Sequence, residues 1–199
     1  MINTTRLRCT IGWLGLLLPW IVAALLWVIP PSISDTYYEP QTITPFVVIL
    51  GAAAFLLISY KGYDLQDDII NTLAGVFGLL VCLFPCANAT LDKVGTFQVP
   101  QQISSIIHNV AAVLFFGLLA YNSLFLFTKH GEHMTPEKKK RNVVYIVCGI
   151  GMVASFALLL LPYFRIKVWL VETLALFFFA VSWLTKACHY KWLFADKEE

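Results

Sequence analysis

Two ionisable side chains stand inside long apolar runs: His108 in "IIHNVAAVLFFGLLAYN" and Glu172 in "WLVETLALFFFAVSW". A charge at the centre of a bilayer costs about 2.5 to 3.5 kcal/mol on insertion scales, so such groups normally face a polar interior and find a partner there. An imidazole and a carboxylate can pass a proton, hold each other's charge or bind the polar end of a ligand. On a helix, Ser104, His108, Ala112, Phe115 and Leu119 fall along one stripe, which Asn122 continues, while Asn109 sits beside His108. Glu172 shares a similar stripe with Phe179, Trp183 and Lys186. Both stripes are expected to face a bundle interior, with His108 and Glu172 at matching depth, in contact directly or through one water. Three roles fit the pair. It could be a hydrogen-bonded strut that fixes helix packing, a pH-sensing or proton-relaying element, or a headgroup or catalytic site to which Ser104, Asn109 and Asn122 add polar contacts.

A second polar set lies in "YKGYDLQDDIINTLAG", where Asp64, Asp67, Asp68 and Asn71 recur at i, i+3, i+4 and i+7 and so share one helical face. Acids in a first turn suit the positive end of the helix dipole and could answer Lys61 or the basic run at 138–141. The sharper alternative is a divalent cation, which takes clustered carboxylate and amide oxygens, but this segment alone lacks the ligand count. No metal or cofactor is expected.

The elements that must carry these groups follow from composition. The chain has 199 residues, 59% hydrophobic and 13% charged, whereas a soluble domain carries roughly a quarter charged residues. Runs long enough to cross a bilayer recur at 11–29, 44–60, 69–86, 103–127, 143–162 and 168–185. Backbone groups in lipid must be satisfied within the element, and no barrel-like alternation is present. The expectation is an all-α, single-domain integral membrane bundle of six transmembrane helices. Short loops make neighbouring helices antiparallel.

Orientation follows from the basic residues. With the N-terminus inside, eleven of the 14 lysines and arginines fall on the cytoplasmic side, and only Lys93, Arg165 and Lys167 fall outside. Both termini are therefore expected to be cytoplasmic. The first apolar run lacks a small-residue cleavage site and is read as an anchor, not a signal peptide. Most of the six tryptophans lie near expected span ends, as interfacial aromatics do. The basic 129–141 loop is expected to touch anionic headgroups or to dock a cytoplasmic partner. On the other side, "PPSISDTYYEP" could lid a cavity beside His108 and Glu172 or form an ordinary interfacial turn. Asn88-Ala-Thr90 matches a glycosylation acceptor, which matters only in a secretory pathway.

The five cysteines, at 9, 82, 86, 148 and 188, lack paired metal spacing and read as small hydrophobes. Nucleotide loops, His-Glu-x-x-His, strained-serine elbows and voltage-sensor arginines are absent from the sequence. Scattered basic residues argue against a nucleic-acid partner. Gly149 and Gly151 offer a face on which two copies could pair.

The stretches "SISDTYYEP", "SYKGYDLQDDIINTLAGVFGLLVCLFP", "IHNVAAVLFFGLLAYNSLFLFTK" and "WLVETLALFFFAVSWLTKA" resemble a group of uncharacterised bacterial six-helix membrane proteins, a domain of unknown function. The resemblance covers about residues 30 to 188. A looser similarity joins it to the Frag/DRAM/Sfk-type membrane proteins, in which an Ile-Ser-Asp outer loop also follows the first helix, and which are implicated in lipid organisation or membrane trafficking. It implies a bacterial inner membrane protein. Ser104-x-x-x-His108 is also similar to the Ser-x-x-x-His of the alkaline ceramidase and progestin/adiponectin receptor superfamily, zinc-dependent amide hydrolases. That superfamily places a His-x-x-x-His pair on its last helix, where this chain has Glu172, while His130, His133 and His189 fall on the opposite side from His108. One histidine and one carboxylate make a poor zinc site.

The leading expectation is thus a non-enzymatic membrane protein that binds or senses a lipid or small amphiphile in a polar pocket near the outer leaflet. An intramembrane lipid hydrolase is the second expectation, with His108 as base, Glu172 as charge partner and Ser104 as hydrogen-bonding residue. The third is a proton or small-ion channel or transporter, with His108 and Glu172 relaying charge toward Asp64, Asp67 and Asp68.

Overall fold

The computed structural model describes residues 4–130, 134–160 and 168–187. Arg165, Lys167, His133, His189, Cys188, Lys191, Trp192 and Lys197, which entered the reading above, lie outside the described residues. The helices are α1 (Thr4–Leu26), α2 (Ile43–Ser59), α3 (Leu65–Leu83), α4 (Gln101–Tyr121), α5 (Pro136–Ala157) and α6 (Val168–Lys186). Short 3-10 turns cover Ser34–Tyr38 and Leu158–Leu160, and a π turn, Asn122–Leu126, extends α4. Among the described residues the one β element is a two-residue ribbon, β1 (Lys93–Val94) against β2 (Val99–Pro100).

Local chemistry sets the ends of these helices. In α1 the helix begins well before the apolar run, at Thr4, because hydropathy marks hydrocarbon and not helix. It stops where Trp27 enters the left-handed region at φ 57, just before Pro30 and Pro31. Helix α3 starts on Asp64, whose carboxylate accepts the Asp67 backbone N–H at 3.0 Å, and ends before Pro85 instead of running through it. Thr135 caps α5 with Pro136 in its first turn, so the basic run 138–141 is helical and not part of a loop.

Each helix packs against its sequence neighbours, and α6 returns to α1, closing an antiparallel ring. Small residues permit the close approaches. A Cβ on Gly75 would lie 2.4 Å from the Ala54 carbonyl oxygen of α2, so α2 and α3 meet backbone to backbone there. Gly149 and Gly151 are occupied in the same way, by Leu124 and by the Phe178 ring, so that face serves packing within the chain and is not free to pair copies. The interior centres on Phe46, Leu57, Leu119, Phe179 and Trp183.

Outside, Ile106, Val110 and Val113 of α4 and Val147, Ile150 and Val153 of α5 are exposed at helical spacing. A surface of aliphatic side chains needs hydrocarbon around it. Among the described residues five helices, all but α2, are long and apolar enough to cross a membrane; α2 is apolar but only 17 residues long. These are the features of an integral membrane protein. Of the tryptophans, Trp13, Trp20 and Trp27 are exposed as interfacial residues should be, but Trp169 and Trp183 are core residues.

Candidate functional site

The α1–α2 connection does not lie across the bundle end as a flexible turn. It is inserted: Ser32, Ile33, Thr36 and Thr42 are all buried. Thr36 and Thr42 hydroxyls donate to the carbonyls of Ile33 and Thr36, at 2.5 and 2.8 Å, which holds the 3-10 turn in shape without outside help. The Trp169 backbone N–H donates to the Pro31 carbonyl at 2.9 Å, and the Tyr38 hydroxyl donates to the Cys86 carbonyl, tying the plug to α6 and to the segment after α3. Burial, followed by the nearby charge of Asp35, pushes the Cys86 thiol well above its ordinary range.

Into this plug reach the two ionisable groups. Glu172, about one turn into α6, accepts the Ile33 backbone N–H at 2.6 Å and the Ser34 hydroxyl at 3.3 Å. His108, about two turns into α4, is 4% exposed; its Nδ1 lies 2.8 Å from the Phe84 carbonyl and its Nε2 lies 2.9 Å from Ser34 Oγ. The expected direct or water-bridged contact is therefore corrected: a serine from a distant loop joins the pair. Sequence reasoning missed Ser34 because a loop hydroxyl has no periodicity, although "SISD" is polar enough to have drawn notice.

Proton count defines what this chain can do. The Phe84 carbonyl only accepts, so Nδ1 carries a proton in every state. Ser34 has one hydroxyl proton. If it goes to Glu172, Nε2 must donate to Ser34 Oγ, which makes an imidazolium facing a carboxylate. If the proton sits on Glu172 instead, the carboxyl donates to Ser34 and the hydroxyl donates to Nε2 of a neutral imidazole. Both arrangements use the same heavy atoms and differ only in where one proton resides.

No family model, no curated protein and no solved structure matches the chain. The chemistry of the site must therefore be read from its own geometry. Beside Ser34 and Glu172 runs a narrow cavity of about 40 Å³, otherwise walled by apolar groups such as Leu18, Phe46, Leu50, Phe115 and Leu176. That is room for a few water-sized groups.

Three other residues expected at this site are elsewhere. Ser104 is buried, and its hydroxyl donates to the Pro85 carbonyl at 2.7 Å, so it pins the segment after α3 and is not in the Glu172–Ser34–His108 chain. Asn109 is exposed, one residue round the helix from the interior stripe. Asn122 is buried but about 21 Å along α4 from His108. It accepts from Asn71 Nδ2 at 3.3 Å, leaving Asn71 Oδ1 and Asn122 Nδ2 without partners among the described residues. Between the two polar groups along α4 and α6 lie buried Phe115, Leu119, Leu176 and Phe179.

The acidic face is also resolved into particular contacts. Lys129 Nζ reaches Asp64 at 2.8 Å and Asp67 at 2.7 Å. Asp67 Oδ2 further accepts the Tyr63 N–H at 2.9 Å, and Asp68 is held by Lys61 and by the Gly62 N–H, each at 2.9 Å. An ammonium thus stands where a metal cation would have to sit. Among the described residues no cluster of three or more His, Cys, Asp and Glu is placed to hold a metal.

Proposed function

We propose that this protein binds a small amphiphile or lipid end in the cavity beside Ser34 and Glu172, without catalysing a reaction on it. The observation that carries this reading is the contrast in the cavity wall: a carboxylate and a hydroxyl are its polar members, and apolar side chains from α1, α2, α3, α4 and α6 make the rest. A ligand with a hydrogen-bonding end and a slender hydrocarbon portion matches such a lining. The setting is a bacterial inner membrane, with α2 crossing as the sixth span and both termini cytoplasmic. The excess of lysine and arginine at the end that carries Arg8, Lys61, Lys129 and Lys138 supports that orientation. The looser similarity to the Frag/DRAM/Sfk-type membrane proteins, implicated in lipid organisation or membrane trafficking, supports the same reading.

The test is native mass spectrometry of the purified chain and of two variants, Glu172→Gln and Ala112→Phe, the second filling the cavity with the relay intact. A bound amphiphile in the parent that is lost in both variants is the expected result. Equal retention of the same molecule in Ala112→Phe, or none in the parent after gentle extraction, would overturn the reading.

A proton-relaying role is the second reading, favoured by the Ser34 hydroxyl lying within hydrogen-bond reach of both His108 and Glu172. Proton uptake by proteoliposomes that disappears in Ser34→Ala would support it over amphiphile binding.

A further inference from the structure

The protons around Ser34 limit what a molecule in the adjoining cavity can offer. In both arrangements of the relay each of them is engaged inside it. With imidazolium and carboxylate, the Nδ1 proton goes to the Phe84 carbonyl, the Nε2 proton to Ser34 Oγ and the hydroxyl proton to Glu172. With both groups neutral, the carboxyl proton goes to Ser34 Oγ and the hydroxyl proton to Nε2. The Ile33 backbone N–H is likewise taken, by Glu172 Oε2 at 2.6 Å. Ser34 and Glu172 both line the cavity, so what they present to it is lone pairs.

Charge is balanced in the same way. Moving one proton between Glu172 and His108 leaves the three groups with no net charge in either arrangement. Among the described residues that line the cavity, no lysine, arginine or second carboxylate joins them. Asp35 acts on Glu172 electrostatically, but it accepts the Cys86 S–H at 3.3 Å and lines a separate cavity with Trp27 and Glu39. A charged ligand end would therefore enter without a counter-charge, and burying an unpaired charge costs far more than burying a hydroxyl. An ester or ether end would set its own lone pairs against those of Ser34 and Glu172.

Building on the amphiphile-binding reading above, we propose that the ligand of this cavity ends in a hydroxyl, an uncharged hydrogen-bond donor on a slender hydrocarbon chain, as in a long-chain alcohol. Its O–H donates to Glu172 or to Ser34 Oγ, and walls set by Leu18, Leu50, Phe115 and Leu176 take the chain. The same lining disfavours the carboxylate of a fatty acid, the phosphate of a phospholipid and an alkylammonium.

Thermal unfolding of the detergent-solubilised full chain tests this. The probes are dodecanol, dodecyl methyl ether, laurate kept ionised and dodecylammonium, titrated at equal mole fractions in the micelle. Dodecanol should raise the midpoint, and each of the others should need about tenfold more or higher for the same rise, the equivalent of one lost hydrogen bond. This ranking is read in the parent and needs no variant to fold. Ala112→Phe, which fills the cavity, should abolish the dodecanol response, and Ile106→Phe, at a position 64% exposed, should keep it. In Glu172→Gln, which puts an amide N–H where a lone pair stood, the dodecanol response should fall to that of the ether. An ether, laurate or dodecylammonium response equal to that of dodecanol in the parent overturns the hydroxyl assignment and leaves amphiphile binding standing. No response to any probe, or a dodecanol response that survives Ala112→Phe, overturns both.

Discussion

His108 and Glu172 do not touch; the Ser34 hydroxyl stands between them, 2.9 Å from Nε2 of the histidine and 3.3 Å from Oε1 of the glutamate. The consequence is mechanical as well as chemical. A loop between α1 and α2 is stitched simultaneously to α4 and α6, so the plug and the interior helices must move together.

Ser34→Ala should therefore loosen more than one contact. It strips a partner from Glu172 and from Nε2 of His108, and a buried polar group left unpaired costs about 1–3 kcal/mol. Ser34→Thr, which keeps the hydroxyl, should retain most of the stability. Denaturation of both variants in the same detergent checks this, and equal midpoints for Ser34→Ala and the parent would refute the bridging role.

On the acidic face the three aspartates should not be equivalent. Asp67 is 4% exposed and pairs with Lys129 while accepting a backbone N–H, so Asp67→Asn should lose about 3 kcal/mol, the low end for breaking a buried ion pair. Asp64→Asn should lose less, since the amide can still cap α3. Denaturant midpoints rank the two, and a larger effect at Asp64 would contradict the burial pattern.

Acid should erase the contribution of Asp64 alone in a predictable direction. The Lys129 ammonium, then the Asp67 backbone N–H, hold the Asp64 carboxyl below its ordinary 3.8. A group whose folded-state value is lowered adds stability that is complete above the unfolded value and fades as pH falls through the folded one. The gap in melting temperature between the parent and Asp64→Asn should thus be full at neutral pH and shrink below pH 3.8. A gap that widened on acidification would show the wrong sign.

Two glycines should respond oppositely to alanine. Gly75→Ala drives a methyl to 2.4 Å from a backbone oxygen and 2.6 Å from Ile58 Cγ1, and should cost about 1–3 kcal/mol by forcing α2 and α3 apart. Gly117 has nothing within 4 Å of a built Cβ, so Gly117→Ala should stabilise by roughly 0.5–1 kcal/mol through its helix preference. Paired thermal melts would settle both signs.

Cys86 should be a slow nucleophile. Burial and the adjacent Asp35 carboxylate keep its thiol protonated, and its S–H donates to Asp35 at 3.3 Å. A polar maleimide should label it at least about tenfold more slowly than a cysteine placed at exposed Ala89. Comparable rates would mean the plug opens freely.

Much of this was legible in the residues. Apolar run lengths located the six α-helices of the described residues, and the 3.6-residue repeat placed Ser104, His108, Phe115 and Leu119 on the buried side of α4, with Asn122 buried just beyond it. Boundaries slipped where hydropathy and helicity diverge, as at Thr4 and Pro136. The site was legible only as a pair of candidates. Periodicity reports which side a group faces, not which of several inward groups it meets, so Asn109 and Asn122 were grouped with His108 though one points outward and the other lies far along the helix. The Lys129 contacts escaped for a related reason: a long flexible side chain can answer any of several acids.

Sequence alone determined that this chain must seek hydrocarbon, form helices and hide a histidine and a glutamate, because the cost of exposing apolar surface to water or charge to lipid depends only on residue type and spacing. Tertiary structure alone decided that a loop serine would join those two groups, that Lys129 would occupy the acidic face, and that Lys186 would be enclosed between the rings of Tyr63 and Phe127. Those outcomes depend on how six helices close into a ring and which loop ends are thereby brought within 3 Å or so of one another, a matter of three-dimensional packing that no one-dimensional pattern encodes.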